Sequence, residues 1–196
     1  MKNAILLYGR FSEKINGVPI IDIPECNPNN ENNWMGWTKK ELEKQGYKVT
    51  CPVIPKVWEA PYSEWKKAID DAGVDEETVF VALSAGAGAC IKYIIEEKKT
   101  INKLILVAPA RHGSPTDPCP TSYEFYDFEV PKDIKQHIKD GTTIFVSSDD
   151  WDLILDSVKI YEKELKAKVI RFKDRGHFSF LIKTFPELLE EILKKN

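Results

Sequence analysis

The chain has 196 residues, 42% of them hydrophobic and 30% charged, with a net charge of −3. That is the size of one domain in which about 70% of the unfolded surface becomes buried. The small negative balance gives no basis for a nucleic-acid or anionic-membrane partner.

Met1-Lys2-Asn3 leads into only five apolar residues, Ala4 to Tyr8, too few for a secretory signal. No apolar run approaches the roughly 20 residues of a membrane span, so the expected location is the cytoplasm. Four cysteines (Cys26, Cys51, Cys90, Cys119) and three histidines are scattered without CxxC or zinc spacing. Free thiols acting as small apolar fillers are expected, and no metal or cofactor is called for.

Ala4 to Tyr8 reads as the first strand, and its lack of polar alternation makes it central. Residues 11–33 follow, too long for an ordinary strand-to-helix connection. Asn16-Gly17 marks a short hairpin between Phe11–Ile15 and Val18–Ile23. Asn27 to Asn33 reads as a polar, mobile stretch, and the whole insertion as a flap or a plain surface loop. Trp34 to Gln45 is a helix, capped by Asn33 and ended by Gly46 in the left-handed position. Lys48 to Val53 is the second strand, closed by Pro52 and Pro55. Pro61 opens a helix to about Asp71, which Gly73 stops.

Thr78 to Leu83 is the third strand, followed by a helix from Gly86 to about Lys98. Lys103 to Val107 is the fourth strand. Residues 108–131 form a second long excursion rich in proline and aromatics. A short helix over Asp133–Lys139 precedes the fifth strand, Thr142–Val146. Asp152–Leu165 is a helix with Asp152 as its cap, Lys168–Phe172 the sixth strand, and the last helix starts near Pro186. The alternation predicts an α/β fold: a single domain over residues 1–196, with a mostly parallel sheet of about six strands and helices on both faces. Residues 11–33 and 108–131 are its lid or loop insertions.

In such a sheet, ligands bind beyond the carboxyl ends of the strands. Ser84 stands at one such end, in Ala82-Leu83-Ser84-Ala85-Gly86. A serine on a sharp strand-to-helix turn needs small neighbours, and the usual GxSxG has alanine at its first position here. The helix that starts there brings its positive end and free N–H groups near the hydroxyl. Gly86-Ala87-Gly88 does not continue into a dinucleotide fingerprint, because Ile91 takes the third glycine's place. GxxxxGK[ST] is absent, which excludes a P-loop.

A serine hydroxyl needs a base, and the base needs an orienting acid. His177 follows the sixth strand, with Gly176 permitting the turn that brings the imidazole inward. The loop after the fifth strand, Ser147-Ser148-Asp149-Asp150-Trp151-Asp152, supplies the acid. Helix capping accounts for Asp152, while spacing does not separate Asp149 from Asp150. The order serine, aspartate, histidine along the chain is that of α/β-hydrolases.

With these residues in place, the chain resembles the small serine hydrolases of the retinoblastoma-binding protein 9 type, in the α/β-hydrolase superfamily. The supporting stretches are Trp34–Lys44, Ser84-Ala85-Gly86-Ala87, Ser148-Asp149-Asp150 and Phe172–Phe178. The resemblance implies a compact α/β-hydrolase with Ser84 as nucleophile and His177 as base. The second residue of the family's double aspartate is the acid, which implies Asp150. Family members usually carry a glycine-rich or His-Gly turn after the first strand; here it is Tyr8-Gly9-Arg10-Phe11.

The expected function is cleavage of a small carboxylic ester, with an amide as the secondary option, through an acyl-enzyme. The Ala85 and Arg10 N–H groups are expected to bind the oxyanion, and Gly9, Phe11 and Trp34 to border the substrate. At helical spacing Trp34 and Trp37 also suit a core role, and the aromatics from Tyr123 to Phe128 hint at an apolar acyl pocket. The alternative, motivated by the altered Tyr8–Phe11 turn, is a weak or inactive hydrolase scaffold acting as a binding module. Nothing in the sequence identifies a protein partner.

Overall fold

Three uninterrupted apolar runs make the centre of the sheet. In the computed structural model, which describes residues 2–112 and 125–194, these are β1 (Asn3–Leu7), β5 (Thr78–Leu83) and β6 (Lys103–Val107), each buried along its whole length. Two further strands, β2 (Lys14–Ile15) and β3 (Val18–Pro19), form a separate hairpin. The sheet is completed by β4 (Lys48–Thr50), β7 (Thr142–Ser147) and β8 (Lys168–Phe172). Its order is β4-β1-β5-β6-β7-β8 and every pairing is parallel. The edge strands β4 and β8 are the ones with exposed residues, as expected for strands with one free side.

The helices are α1 (Trp34–Lys44), α2 (Tyr62–Ala72), α3 (Ala85–Glu97), α4 (Asp152–Leu165) and α5 (Pro186–Leu193). α2 packs on α3, and α1 on α5. Right-handed crossovers place the first pair on one face of the sheet and the second on the other. The chain leaves β1 toward β4 and returns past it to β5. The sheet therefore changes direction between β1 and β5, which puts the ligand crevice at the carboxyl ends of those two strands.

Local chemistry explains most boundaries. Asn33 caps α1 by accepting from the Met35 and Gly36 N–H groups at 2.9 and 3.0 Å. Gly46 and Gly73 follow α1 and α2 at φ near +79°. Pro186 sits in the first turn of α5. Asp152 is not a cap: it is the first residue of α4, and Trp151 takes the cap position without a side-chain bond. An acid there still suits the positive end of the helix. The short helix expected at Asp133–Lys139 is a single 3-10 turn, Ile134–His137.

The insertion at 11–33 differs from the mobile stretch expected over Asn27–Asn33. Its asparagines act as backbone partners. The Asn33 side chain donates to the Glu25 and Asn27 carbonyls, Asn30 to Pro24, and Asn29 to Cys51. Gly36 lets this loop seat directly on α1, since a Cβ there would lie 2.1 Å from the Asn30 carbonyl oxygen. The Asn16-Gly17 hairpin forms, with both residues at positive φ, but pairs only two residues per strand.

The second excursion is clamped by buried Arg111. Its guanidinium donates to the Tyr126 and Phe128 carbonyls and lies 4.4 Å from the Phe128 ring centre. Phe125 is fully buried, edge-on to Trp65 and Tyr62. Of the aromatics that hinted at an acyl pocket, Phe125 is core and Tyr126 and Phe128 are half-buried against the core, while Tyr123 lies outside the described residues, as does Cys119. Cys26, Cys51 and Cys90 are buried free thiols. Burial pushes the Cys26 thiol up to about 11 and the Cys51 thiol up to about 12.

Candidate active site

β5 ends at Leu83 and α3 begins at Ala85, so one residue must turn the chain. Ser84 does so at φ 52°, ψ −121°, a conformation that costs a non-glycine residue roughly 1–3 kcal/mol. The surroundings fix it there. Its N–H donates to Val107 O at 3.0 Å, and its carbonyl accepts from Ala87 and Ala110 at 3.1 Å. The turn also needs bare backbone against it. A Cβ on Gly86 would fall 2.5 Å from Tyr8 O, and one on Gly9 would fall 2.8 Å from Ser84 Cβ. The ends of β1 and β5 are therefore pressed together at the crevice.

The same closeness places the Tyr8–Phe11 turn beside the serine. Tyr8 anchors it, donating to Ile54 O and accepting from Ile54 N; burial raises its phenol pKa. Phe11 stacks on Tyr8 and meets Phe180 edge-on. The Arg10 side chain leaves this turn for the Ala60 carbonyl and lies over the Phe125 ring, 4.6 Å from its centre. Only its backbone stays at the turn. Ala85 opens α3, so its N–H has no partner within the helix.

His177 arrives from the loop after β8, where Gly176 is at φ +51°. Its Nε2 lies 3.0 Å from Ser84 Oγ. Its Nδ1 lies 3.0 and 3.1 Å from the two carboxylate oxygens of Asp150. A carboxylate only accepts, so Nδ1 carries the proton and Nε2 accepts from the serine hydroxyl. The Asp150 side chain is fully buried, while that of His177 is 22% exposed. Asp150 Oδ1 also accepts the Trp151 N–H at 2.7 Å. Of the two adjacent aspartates, only Asp150 has a hydrogen bond to the imidazole; Asp149 Oδ1 accepts from Ser147 Oγ and Gly176 N. The Ser147 hydroxyl holds the Asp149 carboxyl below its usual range; burial opposes it, and the Gly176 N–H adds a smaller lowering effect.

Ser84, His177, Asp150, Gly9, Phe11, Ala85 and the Arg10 backbone thus meet at one end of the sheet. Trp34 is a core residue, 1% exposed. Its indole N–H donates to Phe178 O at 2.9 Å and its ring meets Phe185 edge-on. It supports the histidine loop and also lines a cavity of about 20 Å³, shared with Phe11, Leu83, Phe180 and Tyr8. That is room for about one water molecule.

Sequence reasoning gave Trp151 no role. It is 64% exposed, yet its ring stacks on the His177 imidazole at 4.4 Å between centres. Its only signal was its place next to Asp150. Phe180, which meets Phe11 edge-on, was missed as well; its only signal was its place three residues after His177.

A hydroxyl on a strained turn, an imidazole within hydrogen-bond reach and a buried carboxylate behind it are the parts that nucleophilic acyl transfer needs. Comparison with known proteins points the same way. A family model described as serine hydrolase matches residues 20–182, a span that holds Ser84, Asp150 and His177. Serine hydrolase RBBP9 of Rattus norvegicus is 29% identical over 150 residues, covering 74% of this chain and 77% of that one. The structure of the ydeN gene product from B. subtilis superposes with a TM-score of 0.77 at 18% identity, covering 98% and 97% of the two chains. Est1E from Butyrivibrio proteoclasticus gives 0.62 at 13% identity, covering 98% and 89%. The last two share the α/β-hydrolase fold, and the extent of the family match makes the further statement: this chain belongs to the serine hydrolase family.

Proposed function

We propose that the enzyme hydrolyses small carboxylic esters through an acyl-enzyme on Ser84. The observation that carries this reading is the unbroken chain of contacts from Ser84 Oγ to His177 Nε2 and from His177 Nδ1 to Asp150. Ser84 Oγ attacks the ester carbonyl while His177 takes its proton. Asp150 keeps the imidazole in the right tautomer and stabilises the imidazolium. The Ala85 and Arg10 N–H groups receive the developing oxyanion. His177 then gives its proton to the leaving alkoxide. Water, activated by the same imidazole, attacks the acyl carbon, and collapse of that intermediate releases the acid and restores the Ser84 hydroxyl.

A cavity that adjoins the Ser84 turn through Tyr8 and Leu83 bears on the size of the substrate. This cavity, lined by Phe11, Leu83 and Phe180 and by Glu25, Cys26 and Asn33 of the insertion, is about 20 Å³, far below the 300 Å³ or more of a drug-sized pocket. So small a space favours a short acyl group. Trp151, exposed and stacked on the imidazole, suits the alcohol portion. The binding-module alternative lacks an observation of its own.

Hydrolysis of p-nitrophenyl acetate, butyrate and octanoate tests this reading. Turnover should be highest on acetate and vanish in Ser84→Ala. A folded wild-type protein inactive on all three, or an active Ser84→Ala, would overturn it.

A further inference from the structure

Asp150 holds the imidazole ring, but it does not hold the backbone that carries the ring. That backbone follows β8 through Asp174, Arg175 and Gly176, with Gly176 in the left-handed region. The parallel ladder between β7 and β8 runs to Ser147 opposite Phe172, and the Ser148 N–H still donates to Phe172 O at 2.9 Å. Beyond that point two side chains take over from the ladder. The Arg175 N–H donates to Ser147 Oγ at 2.9 Å, and the Gly176 N–H donates to Asp149 Oδ1 at 3.0 Å. The Ser147 hydroxyl in turn donates to Asp149 Oδ1 at 2.5 Å.

These three bonds form a small closed network. Ser147 is buried at the end of β7, so its position is set by the sheet. Asp149 is an exposed residue, and its carboxylate is aimed by Ser147 rather than by packing. Together they fix the two peptide N–H groups that immediately precede His177.

We propose that Asp149, oriented by Ser147, is a positioning residue. It carries the β7–β8 pairing onward by side chain and thereby sets where the His177 imidazole stands between Ser84 and Asp150. The proposal rests on His177 being the base of the reading above. It assigns the first aspartate of the pair a function separate from that of the second. A displacement of about 1 Å at a reacting group costs on the order of 10²-fold in rate, so releasing this loop is felt in turnover without any loss of substrate contacts.

The test compares Asp149→Ala, Asp149→Asn and Ser147→Ala with wild type, using kcat and KM on p-nitrophenyl acetate and the thermal midpoint. Asp149→Ala should lower kcat by roughly 10- to 100-fold with KM within about twofold. Asp149→Asn should recover most of kcat, because its amide oxygen accepts the same two bonds. That rescue is what a general loss of stability does not give. Ser147→Ala should show the same kcat loss at unchanged KM, and the Ser147→Ala/Asp149→Ala pair should lose little more than the larger single loss. If Asp149→Ala does not fold, Asp149→Asn and Ser147→Ala decide. Wild-type kcat in Asp149→Ala or Ser147→Ala, or an Asp149→Asn variant as slow as Asp149→Ala, would overturn the proposal. His177→Ala separates the two readings: an active His177→Ala sinks the catalytic assignment, whereas an inactive one beside an unaffected Asp149→Ala sinks only the positioning role.

Discussion

Gly9→Ala probes the crevice with a single methyl group. The added Cβ would lie 2.8 Å from Ser84 Cβ, 3.3 Å from Leu83 O and 3.4 Å from Ser84 Oγ. Carbon atoms in contact sit at about 3.5 Å or more, so the turn and the elbow must part by about 0.7 Å. The elbow is the less able to move. Ser84 is bonded through its N–H to Val107 and through its carbonyl to Ala87 and Ala110, and Gly86 is already seated against Tyr8 O. The Gly9-Arg10 turn therefore yields, and with it the Arg10 N–H assigned to the oxyanion. Complete loss of one such donor costs about 2.7–4 kcal/mol, or 10²–10³ in kcat. A displacement of this size should cost roughly 10- to 100-fold. KM should change little, because the ground-state contacts remain. Overpacking should also cost about 1–3 kcal/mol of stability, a drop of a few degrees in the thermal midpoint. Adding Ser84→Gly removes the opposing Cβ and relieves the positive φ, so the double variant should regain that midpoint while staying inactive. Steady-state ester hydrolysis and thermal unfolding read both effects. A Gly9→Ala enzyme within about threefold of wild-type kcat would refute the reasoning, since the turn would then have no part in catalysis.

Other perturbations separate further parts of the account. Asp150→Asn should reduce kcat by up to about 10⁴-fold, as loss of the correct tautomer does in a triad. Asp149→Asn should cost far less, and equal losses would contradict the assignment of Asp150. At the opposite end of the sheet, Glu191 accepts from Thr143 at 2.8 Å and from Lys168 at 2.9 Å. Burial pushes its pKa up, but Lys168 and Thr143, with Lys103 nearby, outweigh it and hold the carboxyl below the ordinary glutamate value of 4.5. A depressed folded pKa gives stability that is fully present above 4.5 and is lost as pH falls through the folded value. Lys168 is half exposed, so screening limits the contribution to about 1 kcal/mol. Thermal midpoints measured from pH 7 to pH 3 should fall more steeply for wild type than for Glu191→Gln. Parallel curves would show that this carboxylate is not linked to acid unfolding.

The residues show why some of this was legible beforehand and some was not. Thr78–Leu83 and Lys103–Val107 were readable as strands to the residue, because central parallel strands are continuous apolar runs bounded by polar turns. The elbow was readable because a positive-φ serine demands small neighbours, and Gly86 with the alanines around it supplies them. The choice between Asp149 and Asp150 was not readable from spacing. Adjacent side chains leave a turn in different directions, and only the three-dimensional course after β7 aims Asp150 at the imidazole. The stretch Asn27–Asn33 misled for a related reason. Asparagine is common in polar loops, but its amide also satisfies backbone carbonyls, and here it knits the insertion to α1. Trp34 was ambiguous because a helical tryptophan beside a strand end fits both core and site. The indole bond to Phe178 and the ring contact with Phe185 place it in the core, holding the histidine loop.

The central claim is that Ser84 is a nucleophile activated by His177. Labelling with a fluorophosphonate, followed by mass spectrometry of the digested protein, tests it most directly. The account predicts one phosphonyl adduct per chain on the peptide containing Ser84, absent in Ser84→Ala and strongly slowed in His177→Ala. A folded wild-type protein that takes no label, or an adduct that persists in Ser84→Ala, would contradict it.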